Sequence, residues 1–216
     1  MKKASLKIKI AMVMKMQIKH QITLISAGSF PESENFTSII DNIHTAISKV
    51  VWPPGSDKFT IYPESGKKRG EGNGVKPIKK EFIKHLKSLG WEAETKLNFA
   101  TVNPGAIDAT FKVGSKYFAV EWETGNISSS HRALNKMALG ILKEKLVGGI
   151  LIVPTKNLYK YLTDRVGNFA ELEPYFPLWE SISCSNGYLG IIAIEHDTTS
   201  MEVQKIPKGT DGRALN

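Results

Sequence analysis

Three acids in one short segment carry the clearest chemistry in this chain. Asp108, Glu121 and Glu123 flank the dipeptide Gly114-Ser115. Gly-X is a two-residue hairpin loop. Closing it pairs Val113 with Lys116, and the same register sets Asp108 opposite Glu121. Directly opposed side chains share a face about 5 Å apart. Alternation along the strand adds Glu123 to that face and sends Ala109, Phe111, Phe118, Val120 and Trp122 to the other. The only cations expected on the acidic face are Lys112 and Lys116, toward the turn. Like charges opposed across a sheet are destabilising. A hard divalent cation such as magnesium would offset them, because it takes carboxylate oxygens and keeps water ligands for phosphates. The plain alternative is an edge hairpin with its acids in water. Three acids in register within a basic chain favour the metal site.

Thr124-Gly125-Asn126 leads from Glu123 into a helix whose expected cap is Ser128 or Ser129. A helix start offers unpaired N–H groups to a phosphate. Asn126, Ser128, His131 and Arg132 fall on or beside its first turn. Arg forks read guanine, and Asn or Ser reads base edges in the major groove. The plain alternatives are capping for Ser128 and a surface ion pair for Arg132.

The elements that must position these residues follow from hydrophobic period. Residues 34–51 read as a helix with Ile39, Ile40, Ile43, Ala46, Ile47 and Val50 on one face, ended by Pro53 and Pro54. Residues 55–76 are turn-rich and basic, and a mobile surface loop is expected there. A second helix runs from Pro77 to Leu89 and buries Ile78, Phe82, Ile83, Leu86 and Leu89, with Lys79, Lys80, Lys84 and Lys87 solvated. The period then drops to two, predicting three strands over 96–123: Leu97-Phe99-Thr101, then Ile107 to Val113, then a third through Phe118, Val120 and Trp122. A helix over 128–146 follows, with Leu134, Met137, Ala138, Ile141 and Leu142 inward. Gly148-Gly149 punctuates, Ile150–Val153 reads as a buried strand, helices follow near 156–163 and 168–174, and Leu189–Ile194 closes as a strand. The pattern implies an α/β fold with a mixed central sheet.

Composition limits what such a domain does. The chain has 216 residues, 41% hydrophobic and 23% charged, which excludes a disordered class. Its 29 basic against 21 acidic residues give a net charge of +8, favouring an anionic partner. Cys184 is the only cysteine, so an internal disulfide is excluded and a cytoplasmic setting is expected. No apolar run is long enough to cross a membrane, so no membrane partner is expected. Residues 1–30 are taken as a poorly informative basic leader, either disordered or an edge strand, before a single domain over 31–216. Six lysines and no acid fall in its first twenty residues.

Longer motifs then add a resemblance. Glu121-Trp122-Glu123-Thr124-Gly125-Asn126-Ile127-Ser128-Ser129-Ser130-His131-Arg132 is similar to the active-site and recognition region of the BamHI-like type II restriction endonucleases. Val51-Trp52-Pro53, Asn73-Gly74-Val75-Lys76-Pro77-Ile78, Tyr161-Leu162-Thr163-Asp164-Arg165-Val166, Glu171-Leu172-Glu173-Pro174-Tyr175-Phe176 and Ile206-Pro207-Lys208-Gly209-Thr210-Asp211-Gly212 extend it, so that it spans roughly residues 36–212. The resemblance implies a PD-(D/E)xK nuclease fold, a mixed sheet flanked by helices on both sides. It implies a homodimer that cleaves palindromic double-stranded DNA, GGATCC, in a restriction system, with magnesium (Mg2+), leaving 5′-phosphate ends. It makes Asp108, Glu121, Glu123 and Glu94 the catalytic acids, with Glu92 close to the last of them in the chain. Asp108, Glu121, Glu123 and the Trp122 carbonyl become metal ligands, and Asn126, Ser128, Arg132, Asp164 and Arg165 contact bases. Glu123 stands where the wider superfamily carries Lys. Residues 213–216 are too few for a helix or a long minor-groove arm, so major-groove contacts are expected to carry specificity. The rivals are a non-catalytic sequence-specific DNA-binding protein and a nicking or structure-specific nuclease of the same superfamily.

Overall fold

The computed structural model describes residues 15–68, 70–98, 105–123, 125–163 and 166–208. Strands β1 (Gln17–Ala27), β3 (Glu92–Thr95), β4 (Ile107–Val113), β5 (Lys116–Trp122), β6 (Leu146–Pro154) and β7 (Gly187–Glu195) form one sheet in the order β1-β7-β6-β5-β4-β3. The centre, β5-β6-β7, is parallel, and β1, β4 and β3 join antiparallel. The mixed sheet is therefore as expected. The short strands β2 (Thr60–Ile61) and β8 (Thr198–Thr199) pair separately.

Helices cover both faces. On one lie α1 (Glu34–Ser48) and α2 (Lys76–Ser88), whose Ile39, Ile43, Ile47, Ile78, Phe82 and Leu86 pack with Phe118, Val120 and Trp122. On the other lie α3 (Ile127–Leu142) and two short helices, α5 (Phe169–Leu172) and α6 (Phe176–Glu180). Leu134, Met137, Ile141, Leu172 and Trp179 pack there with Leu151, Leu189 and Ile191. Helix α4 (Lys156–Tyr159) follows β6 directly.

Several expectations change. Residues 17–27 are an edge strand paired along β7, which settles the open choice for that part of the leader. The strand expected over 97–101 lies earlier, at 92–95; Phe99 and Thr101 fall outside the described residues. Gly148 and Gly149 lie inside β6, against Phe118 and Met137, because the buried sheet leaves no room for larger side chains there. The helix expected over 156–163 keeps only its first turn. Leu142 is 49% exposed, because α3 ends there and its last turn leaves the sheet.

The segment 55–76 is tied down rather than a free surface loop. Asn73 is fully buried. Its N–H donates to the Tyr161 carbonyl at 2.8 Å, its carbonyl accepts from Thr163 N–H at 2.9 Å, and its amide donates to the Tyr62 and Tyr161 carbonyls. Its Oδ1 also accepts the Ile206 N–H. A buried amide with every polar group satisfied fixes three segments at once, and one of them leads directly to Asp164.

Candidate active site and DNA-reading helix

The β4–β5 hairpin has the predicted register: Val113 opposes Lys116 and Ala109 opposes Val120. Gly114 adopts φ +60°, which a two-residue loop with Gly first requires and other residues adopt only with strain. One step beyond Ala109 and Val120, Asp108 and Glu121 both open on one cleft of about 730 Å3, with Glu94, Trp122 and Glu123. Asp108 and Glu121 are 8% and 7% exposed. Glu94 therefore lies with the acids; Glu92 does not line this cleft.

The expectation that no cation reaches the acids beyond Lys112 and Lys116 is overturned. Lys79 Nζ lies 2.5 Å from Asp108 Oδ1, and Lys136 forms an ion pair with Glu121 Oε1. Lys79 was expected in solvent. It points off the flank of α2 and over the end of β4, because the apolar stripe through Ile78 and Phe82 fixes that helix on the sheet. Lys136 comes from α3, on the opposite face, and also donates to the Ala106 carbonyl at 2.8 Å. Asp108 Oδ2 accepts the Trp122 N–H at 2.8 Å.

Burial raises the Glu121 carboxyl above its ordinary 4.5 to about 7, and the Asp108 charge pushes the same way. Lys136 and Lys79 act against them.

Glu123 bends back along the chain, and its Oε1 accepts the Gly125 N–H at 2.5 Å. A Cβ on Gly125 would come within 2.9 Å of that oxygen, so a larger residue there would displace the Glu123 carboxylate. Among the described residues, no group of three or more His, Cys, Asp and Glu side chains is gathered closely enough to hold a metal ion. The three acids therefore share a cleft without forming the ready-made cluster expected of them. The lysines occupy oxygens of two, and the third turns toward its own loop. The donors themselves, carboxylates beside a strand-end carbonyl, are the hard oxygen set that magnesium takes.

The residues expected to read bases from α3 lie on the adjoining turn. The cap of α3 is Asn126, not Ser128 or Ser129: its side chain accepts the Ser129 N–H at 3.2 Å, and its φ and ψ are extended. Ser128 and Arg132 are exposed and line a second, open hollow with His131, Asn135 and Tyr175. Arg132 also lines the acidic cleft, so cutting and reading groups adjoin. Asp164 and Arg165 lie outside the described residues, as do Thr124 and residues 213–216. The flanks of the Asp164-Arg165 pair are pinned, by the Thr163 bond to Asn73 and by a 2.8 Å bond from Gly167 N–H to the Gly125 carbonyl. No helix among the described residues is long and apolar enough to cross a membrane.

Sequence reasoning missed Lys79, Lys136 and Asn73. Only the last had a signal, its place between Gly72 and Gly74 in one of the segments that carry the family resemblance.

A family model described as restriction endonuclease BamHI matches residues 16–213. The type II restriction enzyme OkrAI of Oceanobacter kriegii is 49% identical over 201 residues, covering 93% of this chain and 100% of that protein. The type II restriction enzyme BamHI of Bacillus amyloliquefaciens is 37% identical over 180 residues, covering 80% of each. Among solved structures, restriction endonuclease BglII in complex with a DNA 16-mer superimposes with a TM-score of 0.45, at 12% identity over 56% of each chain.

Proposed function

The chain belongs to the BamHI restriction endonuclease family, and from that premise we propose that it cuts double-stranded DNA at GGATCC as a magnesium-dependent homodimer, leaving 5′-phosphate ends. The observation that carries this reading is the opening of Asp108, Glu121 and Glu123 on a cleft that also takes Arg132. Acids facing a phosphate repel it unless a cation intervenes, so a plain DNA-binding surface is poorly served by them.

Asp108, Glu121 and the Trp122 carbonyl would hold the metal, which when bound supplies polarisation of the phosphate and a more acidic water. Glu123 orients the attacking water and takes its proton, a task for a carboxylate because no lysine stands at that position. Glu94 shares the cleft and adds negative charge on the side of Asp108. Arg132 and Arg165 present forked donors to guanine, Asp164 accepts from cytosine or orients Arg165, and Asn126 and Ser128 reach base edges from the helix start.

A palindrome is read by a two-fold assembly. Leu142 on α3, Tyr175 just before α6 and Leu178 on α6 are large apolar side chains left 48–61% exposed, and Tyr175 shares a hollow with Arg132. They favour the exposed side of α3 and the 168–176 segment, with its neighbour α6, as the contact surface.

The test is supercoiled plasmid incubated with magnesium, followed by run-off sequencing of the ends. Linear product with both strands cut within GGATCC is expected. No cleavage would leave a non-catalytic DNA-binding protein, and nicked or sequence-independent products would leave a different nuclease of the same superfamily.

A further inference from the structure

The cations that close on the acids come from helices on opposite faces of the sheet. Lys79 reaches Asp108 from α2, and Lys136 reaches Glu121 from α3. Their side chains are 26% and 9% exposed. An ammonium group with so little access to water is held by its partner and not by solvation. Lys136 is also anchored by the Ala106 carbonyl. Each carboxylate of the opposed pair thus has a cation on one oxygen.

We propose that Lys79 and Lys136 are internal counter-cations of Asp108 and Glu121, which hold the pair before metal arrives and must release those oxygens when a divalent ion binds. The proposal rests on the metal-dependent reading above. It makes the two lysines positioning residues whose removal acts with opposite signs on two quantities. Without metal, a buried carboxylate left without its partner destabilises the fold. With metal, the oxygen is already free and one repelling charge is gone, so the ion binds more tightly. A lysine that served only packing would lower stability and leave metal affinity unchanged or weaker.

The experiment is calorimetric titration of calcium alone into the DNA-free protein, for wild type, Lys79→Met and Lys136→Met, with thermal unfolding of each in EDTA and in calcium. Each variant is expected to bind calcium roughly tenfold more tightly, to unfold at a lower temperature in EDTA, and to gain more from calcium than wild type does. Equal or weaker calcium binding by a folded variant would overturn the proposal. Should Lys136→Met fail to fold, Lys79→Met decides alone, since its side chain is the more exposed of the two. Asp108→Asn separates the underlying reading: if neither wild type nor either folded lysine variant binds calcium, or if Asp108→Asn binds it as well as wild type does, the metal-dependent function falls, and the counter-cation role with it.

Discussion

The proposed cutting end of the hairpin and the proposed reading turn of α3 adjoin in one cleft, yet they are built on opposite terms. Asp108 and Glu121 are buried, and groups of the chain itself meet them: two lysines and the Trp122 N–H. Ser128 and Arg132 are exposed on a helix surface. Buried charge must be balanced internally before any ligand arrives, whereas exposed polar groups are solvated until one does. The cutting end is therefore coupled to folding, and the reading end is coupled mainly to DNA. Asn126 crosses this division, because the side chain expected to reach a base also caps α3.

The largest expected effect is at the cutting end. Asp108→Asn should slow single-turnover cleavage by about a thousandfold or more, the scale of several kcal/mol of lost metal stabilisation, while cognate binding in EDTA persists. Near-normal cleavage would dissolve the contrast between the two ends. Next comes Arg132→Ala, which should weaken cognate binding by about 1–3 kcal/mol for each lost base contact and leave thermal unfolding unchanged. A large loss of stability would show that Arg132 belongs with the internally paired groups.

Asn126 sharpens the comparison by splitting its two tasks. Asn126→Ala should lower stability by about 1 kcal/mol through the lost cap and also weaken binding. Asn126→Asp retains the capping acceptor but loses the amide donor, so stability should hold while binding falls. The pair is read by thermal unfolding and gel shift together.

The smallest effect is on pH dependence. Glu121 titrates near 7 in the folded protein against 4.5 ordinarily, so the folded state holds a proton through an interval in which the unfolded chain has lost it. Linkage then makes this contribution complete below about 4.5 and lost as pH rises through about 7. Metal-free stability should fall across that window, and the fall should be shallower in Glu121→Gln. An unchanged slope would show that Glu121 is already ionised and fully balanced by Lys136.

The hairpin was legible because its register depends on local quantities, a Gly-X turn and alternation of side chains. The faces of α1, α2 and α3 were legible for the same reason. Lys79 and Lys136 were not, since helical periodicity says which side of a helix is buried but not what stands beyond its end. Lys79 looks like any other lysine on a basic helix. Asn126 was passed over as the cap because Ser128 and Ser129 follow it, although Asn caps helices as well as Ser does. The Asn73 knot joins segments about 90 and 130 residues apart, a separation at which no spacing rule operates. The first strand was obscured by the lysine-rich stretch just before it; its own single lysine, Lys19, is exposed, as an edge strand allows.

The measurement that tests the account most directly pairs binding with chemistry for Glu123→Ala. This change removes one negative charge from the place a phosphate must occupy, and with it the group assigned to the water. A gel shift on GGATCC duplex in EDTA and a single-turnover cleavage rate in magnesium should therefore move in opposite directions: binding at least as tight as wild type, and cutting slower by orders of magnitude. Weaker binding with near-normal cutting would contradict the account on both counts, leaving Glu123 a structural residue and Asp108 and Glu121 as the remaining acids of the site.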